Sequence, residues 1–566
     1  MNLNLQAEKK NTYDAIVVGT GVSGGWAIKE LCEKGLKTLA LERGRDVKHG
    51  EDYPTANMEP WQLPFDDRLP EEDLEKHYYV QNRTGYTVKE STKHWWIKDD
   101  EEPYSEVKRF DWIRGYHVGG RSLMWGRQSY RWSEMDFEAN AKDGIAIDWP
   151  IRYKDLAPWY DYVEEFAGIS GQAEGLPQLP DGKFLPPMAL TCLEQHLKES
   201  IAKNFDGRVL TIGRTAIVTK EHNGRGPCQY RNRCSRGCPF GAYFSSNAVT
   251  LPPAYATGNL TLRPHSIVNS VIYDEASGKA KGVRVIDAES GEMTEFYAKI
   301  IFLNASTLGS TFILMNSKSN RFPNGMGNDS GELGHNLMDH HFRAGATAEY
   351  EGFEDNYVYG RRANGIYIPR FRNITDQRDD YIRGFGYQGS GSRGTENFEG
   401  DPSFGGDWKD SQSKPGPWRM GLTGFGETLP YHENKVELDE SKKDRYGQPT
   451  LKIDCEFKEN ELAMRKDMIQ SASDMLESAG MKNIRTYDNI GAPGLGIHEM
   501  GTARMGNDPK TSVLNKFNQV HGVPNVYVTD GACMTSAACQ NPSLTYMALT
   551  ARACAHAVDQ LKKQNI

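Results

Sequence analysis

No run of apolar residues in this chain is long enough to span a bilayer. There is no excess of basic charge either. Lys and Arg total 67 against 76 Asp and Glu, a net charge of −9, which argues against nucleic acid as a partner. Cysteine is sparse, nine in 566 residues, far from the dense framework of a small secreted domain, so most are expected to be buried thiols. The opening MNLNLQAEKKNTYDA carries no apolar h-region, so no secretory signal is read there. What is present is the composition of an ordinary globular protein, with 57 Gly, 11 Trp and 27 Tyr. The length exceeds one simple core, and two or three structural units are expected.

Residues 13–18, YDAIVV, form a short β-branched apolar run expected to be a buried strand. Gly19-Thr20-Gly21-Val22-Ser23-Gly24 follows, with Ala27, Ile28 and Leu31 at helical spacing, and KTLALERG then reads as a second strand ending in Glu42 and Arg43. Gly19 permits the tight turn, Gly21 lets a pyrophosphate approach the backbone, and Gly24 lets helix and strand pack closely. The helix N-terminus at Val22 and Ser23 receives phosphate charge, and Glu42 is placed to bond a ribose hydroxyl. With a strand before it, a helix after it and an acid at the next strand's end, this pattern predicts dinucleotide binding without separating FAD from NAD.

At the other end of the chain, NVYVTDG (525–531) reads as a strand closing in Asp530-Gly531. Asn541-Pro542 then opens a segment with Leu544, Met547, Ala548, Ala551, Ala555, Val558 and Leu561 on one stripe, predicting a helix with Asn541 as N-cap and Pro542 in its first turn. This arrangement resembles the second flavin contact of the glucose–methanol–choline (GMC) oxidoreductases, which implies FAD. The resemblance extends to VGGRSLMWG (118–126), similar to the family's second Gly-rich flavin loop, and to ASTLGSTFILMNS (305–317) and GELGHNLMDHH (331–341). GETLPYHENKVELD (426–439) and IHEMGTARMG (497–506) match further segments.

The resemblance implies oxidation of an alcohol, with a base taking the hydroxyl proton while the carbinol hydrogen leaves as hydride to flavin N5. Carried over, the catalytic pair is His498 as base and Asn541 as its partner. His335, His340 and His341 are read as structural. The implied flavin contacts are Gly19, Gly21, Val22, Ser23, Gly24, Glu42, Arg43, Gly119, Gly120, Ser122, Met124, Trp125, Gly126, Ala305, Asp530, Gly531, Asn541 and Pro542. Met124 stands where one branch of the family carries a His bonded covalently to the flavin, so non-covalent FAD is expected.

CQYRNRCSRGCPFGA (228–242) places Cys228, Cys234 and Cys238 within eleven residues, interleaved with Arg231, Arg233 and Arg236. Three thiols are one too many for a disulfide and one too few for a structural zinc. The segment looks like a Cys-rich insert of bacterial sugar-dehydrogenase large subunits in the family, some of which bind a [3Fe–4S] cluster on three thiolates. An empty loop, zinc or a disulfide are the alternatives.

The expected architecture is α/β (α+β overall): a discontinuous Rossmann-type FAD-binding domain over 1–190, 225–335 and 495–566, a connecting segment 191–224, and a substrate domain, 336–494, built on an antiparallel sheet with helices. ENELAMRKDMIQSASDMLESAG (459–480) is helical by periodicity, and the Gly-rich stretch 389–418 is expected to be a long loop, either a lid over the site or plain surface. Overall similarity points to the bacterial glucoside 3-dehydrogenases, which oxidise the C3 hydroxyl of glucose and glucosides. Other positions of sugars, polyols or aldonic acids are alternatives, as is a non-catalytic flavin or redox module. The resemblance further implies a cytochrome c or quinone acceptor, with oxygen as the alternative. It also implies a small partner subunit carrying a twin-arginine signal and a periplasmic location, the cytoplasm being the alternative.

Overall fold

The computed structural model describes residues 11–358, 365–375, 377–395 and 404–566. The opening ten residues, read above for a signal, lie outside them.

The apolar run at the N-terminus forms strand Thr12–Val18, buried over its last four residues. It sits between two parallel partners, Thr38–Leu41 and Met293–Leu303, with Val18 opposite both Leu41 and Leu303. Strand Val523–Val528 joins the far side of Met293–Leu303, and Leu260–Arg263 joins Thr38–Leu41, both parallel. The result is a five-stranded parallel core to which both chain ends contribute. Burial on both faces explains why these strands read as unbroken Val, Ile and Leu runs instead of alternating. An antiparallel meander, Ser266–Asp274 and Lys279–Asp287, pairs onto the start of Met293–Leu303. Helix Val22–Glu33 packs against the C-terminal helix Ser543–Lys562, whose predicted stripe is buried at Leu544, Met547, Ala548, Ala551 and Val558 and partly buried at Ala555 and Leu561.

The second sheet has six strands in the order Lys482–Asp488, His341–Tyr350, Pro415–Gly426, Phe385–Thr395, Ile366–Ile368 and Thr211–Ile212. Every pairing is antiparallel. Alternation along the strands divides its faces. Ala344, Ala346, Ala348, Met420 and Leu422 pack under helix Glu459–Ser478 through Met464, Met468 and Ala472. The other face presents Gln388 opposite Thr423, Ser390 opposite Gly421, and Phe425 opposite Phe342. Helix Cys192–Asn204 adds Leu193, Leu197 and Ile201 to the same core as the Ala and Met residues, so part of segment 191–224 packs with this sheet.

The stretch 389–418 is not one long loop. Its start continues strand Phe385–Thr395, its end opens strand Pro415–Gly426, and Gly406–Ser413 is a short helix. The two strands pair over ten positions, so backbone hydrogen bonding overrides a Gly-rich composition that argues for a loop. Residues 396–403 lie outside the described residues.

Candidate active site

A single cavity of about 940 Å3 runs from the carboxyl ends of the parallel strands to the polar face of the second sheet. At its nucleotide end Gly19 has φ +91°, a conformation L side chains rarely adopt, and a methyl there would sit 2.3 Å from the Asn304 carbonyl oxygen. A methyl on Gly24 would sit 2.0 Å from the Gly19 oxygen, which is why helix and strand can approach so closely only with glycine at both places. The helix starts at Val22, and Gly21, Val22 and Ser23 line the cavity, so unpaired N–H groups of its first turn open there. Glu42 is buried and its pKa is raised by that burial. One carboxylate oxygen accepts the Thr20 hydroxyl at 2.6 Å and the other the Gly44 N–H at 3.1 Å, which orients the group toward the cavity it lines.

Most of the flavin contacts expected from sequence share this cavity: Gly19, Gly21, Val22, Ser23, Glu42, Arg43, Gly120, Ser122, Met124, Trp125, Gly126, Ala305, Asp530, Gly531 and Asn541. Gly24, Gly119 and Pro542 are not on its wall and act on its shape. Gly119 takes φ +91° at the loop corner, where its N–H donates to the Thr20 hydroxyl at 2.9 Å. Asp530 accepts the Ser310 hydroxyl at 2.6 Å and the Ala532 N–H at 3.0 Å, and burial pushes its carboxyl up to about 6.

Asn541 is not the helix cap expected from sequence. The helix begins at Ser543 with Pro542 in the cap position. A one-residue shift of this kind is ordinary at helix ends, and here it releases the Asn541 side chain for other partners. Its amide nitrogen lies 3.3 Å from His498 Nε2, and its oxygen accepts from Gln388 Nε2 at 2.8 Å.

His498 is the residue around which the wall is organised. Ile497 before it has φ +58°, a strained conformation for a β-branched residue. The turn is held by Asp339, whose carboxylate accepts the N–H groups of Gly494 at 2.8 Å, Gly496 at 2.9 Å and His498 at 3.0 Å. Burial, with the nearby Glu499 charge, pushes Asp339 up to about 7. Glu499 in turn forms a bidentate pair with Arg121, at 3.1 and 2.9 Å.

His340, read from sequence as structural, is in direct contact with His498. The two Nδ1 atoms are 2.7 Å apart, and His340 Nε2 bonds the Ala538 carbonyl oxygen. That geometry favours one tautomer of each ring. A carbonyl only accepts, so His340 carries its proton on Nε2 and offers a bare Nδ1. His498 is then satisfied on that side by a proton on Nδ1, which leaves Nε2 with a lone pair beside Asn541. Both rings are neutral at ordinary pH, since burial drives His340 down to about 4 and, with His340 and Arg121 nearby, drives His498 well below 6.5. No local signal marks His340, because it and His498 are 158 residues apart and meet only through the sheet.

The substrate end of the cavity is lined by Gln128, Gln388, Ser390, Thr423 and Tyr487, with Phe342 and Phe425 stacked 5.0 Å apart beside them. Thr423 and Tyr487 hydroxyls bond each other at 2.7 Å. This surface combines hydroxyl and amide groups with aromatic faces.

The arrangement fits FAD. Buried Arg43 Nε, Arg114 Nε, Trp96 Nε1 and Asn304 Nδ2 have no partner among the described residues, and all four side chains lie on the cavity wall. It does not fit the three-thiolate cluster. Among the described residues no group of three or more His, Cys, Asp or Glu could hold a metal ion. Cys228, Cys234 and Cys238 are free thiols flanking the apolar patch of Met188, Ile212, Ile217 and Tyr243, and burial pushes the Cys228 thiol up, away from thiolate. The interleaved arginines hold the segment to residues 56–59. Arg231 donates to the Ala56 carbonyl, Arg233 pairs with Glu59, and Arg236 donates to the Met58 carbonyl. The segment thus has a packing role that accounts for its shape without iron.

The chain belongs to the GMC oxidoreductase family, whose N-terminal model matches residues 13–342 and whose C-terminal model matches 430–550. It is an FAD-dependent oxidoreductase acting on CH–OH groups of sugars or alcohols. Similar proteins include a 2-methyl-1,2-propanediol dehydrogenase of Mycolicibacterium austroafricanum, 29% identical, covering 95% of this chain and 94% of that one. The gluconate 2-dehydrogenase flavoprotein of Pantoea cypripedii is 24% identical over 96% of this chain and 93% of its own. Among solved structures, a formate oxidase of Aspergillus oryzae RIB40, studied for FAD modification, has a TM-score of 0.62 at 14% identity, covering 98% and 99% of the two chains. Among the described residues no helix is long and apolar enough to cross a membrane.

Proposed function

We propose that the protein oxidises a secondary hydroxyl of a sugar, C3 of glucose or a glucoside, with His498 as the base and Asn541 as its partner. The observation that carries the roles is the bare Nε2 of His498 beside the Asn541 amide on the cavity wall. FAD, held non-covalently with Met124 beside it, supplies a hydride acceptor when bound. The chain's own groups do the rest. His498 Nε2 takes the hydroxyl proton as the C–O bond gains double-bond character, a task worth about 10²–10⁴-fold in rate. The Asn541 amide donates to the substrate oxygen and orients it. The proton stays on Nε2, and the resulting positive charge is shared with His340 through the Nδ1–H bond.

A sugar is supported by the mix of hydroxyl, amide and aromatic groups at the substrate end, since ring C–H faces stack on aromatics while hydroxyls need partners. The C3 position rests on overall family resemblance. Other positions of a sugar, polyol or aldonic acid are the second reading, favoured by the gluconate-acting relative. Periplasmic location with a small exported partner and a cytochrome or quinone acceptor rests on that resemblance as well. Oxygen is the alternative acceptor, and oxygen uptake measured against dye reduction decides between them.

The test is anaerobic titration of the holoenzyme with glucose, methyl glucoside, gluconate, fructose and 2-methyl-1,2-propanediol, following flavin bleaching and identifying the keto product by NMR. Bleaching by glucose or the glucoside with a 3-keto product is expected. Bleaching by the diol alone would overturn the sugar assignment.

A further inference from the structure

The hydrogen bonds that meet at His498 do not end at Asn541. Tyr130 donates its hydroxyl to Gln128 Oε1 at 2.5 Å, and Gln128 Nε2 donates to Gln388 Oε1 at 3.1 Å. Gln388 Nε2 then donates to Asn541 Oδ1 at 2.8 Å, and Asn541 Nδ2 faces His498 Nε2 at 3.3 Å. Every link runs in one direction. It begins at a phenol that burial keeps protonated, so its hydroxyl proton stays available to donate. On the opposite side His498 Nδ1–H donates to His340, which donates to Ala538.

We infer that Gln128 and Gln388 are positioning residues for the base: their amides set which way Asn541 faces and so, together with His340 on the Nδ1 side, keep the lone pair of His498 on Nε2. An amide side chain has two nearly isosteric orientations, and only its neighbours choose between them. With Gln388 donating to Asn541 Oδ1, the Asn541 nitrogen must face His498, where it can be satisfied only by a bare Nε2. If Gln388 were lost, Asn541 could turn its oxygen to His498. That oxygen accepts only from a protonated Nε2, which is the state unable to take a substrate proton. Gln128 acts one step further back, because its donation to Gln388 Oε1 leaves the Gln388 nitrogen pointing at Asn541. Tyr130 is fixed in turn by stacking on Tyr367, ring centroids 4.0 Å apart. Chains of this kind reinforce each link, enough to bias a two-state flip several-fold or more.

The four amide and phenol groups come from different parts of the fold. Tyr130 and Gln128 follow the second Gly-rich loop, Gln388 lies on a strand of the second sheet, and Asn541 precedes the C-terminal helix. The chain is thus a physical connection between the sheet that receives substrate and the base that acts on it.

This inference rests on His498 being the base, and its test separates the two. Holoenzyme labelled with ¹⁵N-histidine reports which ring nitrogen carries the proton, with His498→Asn identifying the signal. In the unaltered protein His498 is expected to be protonated on Nδ1 with bare Nε2. In Gln388→Met and Gln128→Met the Nε2-protonated form should appear, with flavin reduction by D-glucose or 2-methyl-1,2-propanediol slowed toward the ~10²-fold loss that marks an unavailable base. Gln128 reaches His498 only through the hydrogen bonds of Gln388 and Asn541, and Gln128→Met stands in if Gln388→Met fails to fold. An unchanged Nδ1-protonated signal in the folded variants would overturn the inference while leaving the base assignment intact. Normal flavin reduction in His498→Asn would overturn the base assignment instead, whatever the tautomers do.

Discussion

At the scale of single residues, His498, the proposed base, would be made usable by its surroundings. An exposed imidazole is half protonated near pH 6.5, whereas burial and the neighbouring His340 and Arg121 hold His498 well below that. Because the neutral form is the active one, lowering the pKa extends activity toward acid. The rate constant for flavin reduction should therefore stay level from pH 8 down through 6.5 and fall only well below it. An acid limb near 6.5 in stopped-flow measurements would show that the ring is solvated. His340 has a different role, accepting the His498 Nδ1–H. His340→Leu should leave that donor buried and unpaired, costing about 1–3 kcal/mol in denaturant unfolding and slowing flavin reduction as the His498 ring loses its fixed tautomer. Equal stability of the variant would mean that water replaces the imidazole.

Secondary-structure elements matter here through their close approaches. The first turn of the nucleotide fold works because Gly19 holds φ +91° with the Asn304 carbonyl against it. Gly19→Ala should strain that turn by about 1–3 kcal/mol and abolish FAD retention on gel filtration, since the colliding atom is backbone and cannot swing away. What sequence made legible follows the same distinction. Gly19, Gly21, Gly24 and Glu42 lie within one strand–turn–helix–strand unit, so their spacing alone carries the geometry. His498 and Asn541 were identified through surrounding motifs, and the cavity does gather them. His340, Gln128 and Gln388 were missed because their roles depend on contacts 158, 260 and 153 residues apart, which no local pattern encodes. The Cys-rich segment misled in the opposite sense. Spacing alone resembled a ligand set, but among the described residues no group of three such side chains could hold a metal ion, and the segment's arginines anchor it to residues 56–59. The strands on either side of 396–403 were hidden by their glycines, of which Gly389 and Gly421 line the cavity.

Across the whole molecule, one cavity joins the parallel sheet, the second Gly-rich loop and the second sheet, with both chain ends contributing to its walls. A ligand that fills such a cavity binds the folded state alone and so adds to its stability, by about 2.7 kcal/mol when free ligand is at 100 times its dissociation constant. Protein stripped of flavin by acid ammonium sulfate should unfold several degrees lower than holoenzyme and recover on adding FAD. Flavin that cannot be stripped would show a covalent bond that Met124 cannot provide.

The central claim is that proton removal by His498, set by the polar wall around it, makes the bound flavin reducible by an alcohol. The direct test is anaerobic stopped-flow reduction of His498→Asn holoenzyme by the substrate found in the titration, beside the unaltered protein. FAD retained in full with reduction slowed by at least ~10²-fold is the predicted result. Reduction at a near-normal rate would contradict it and move the base elsewhere on the cavity wall.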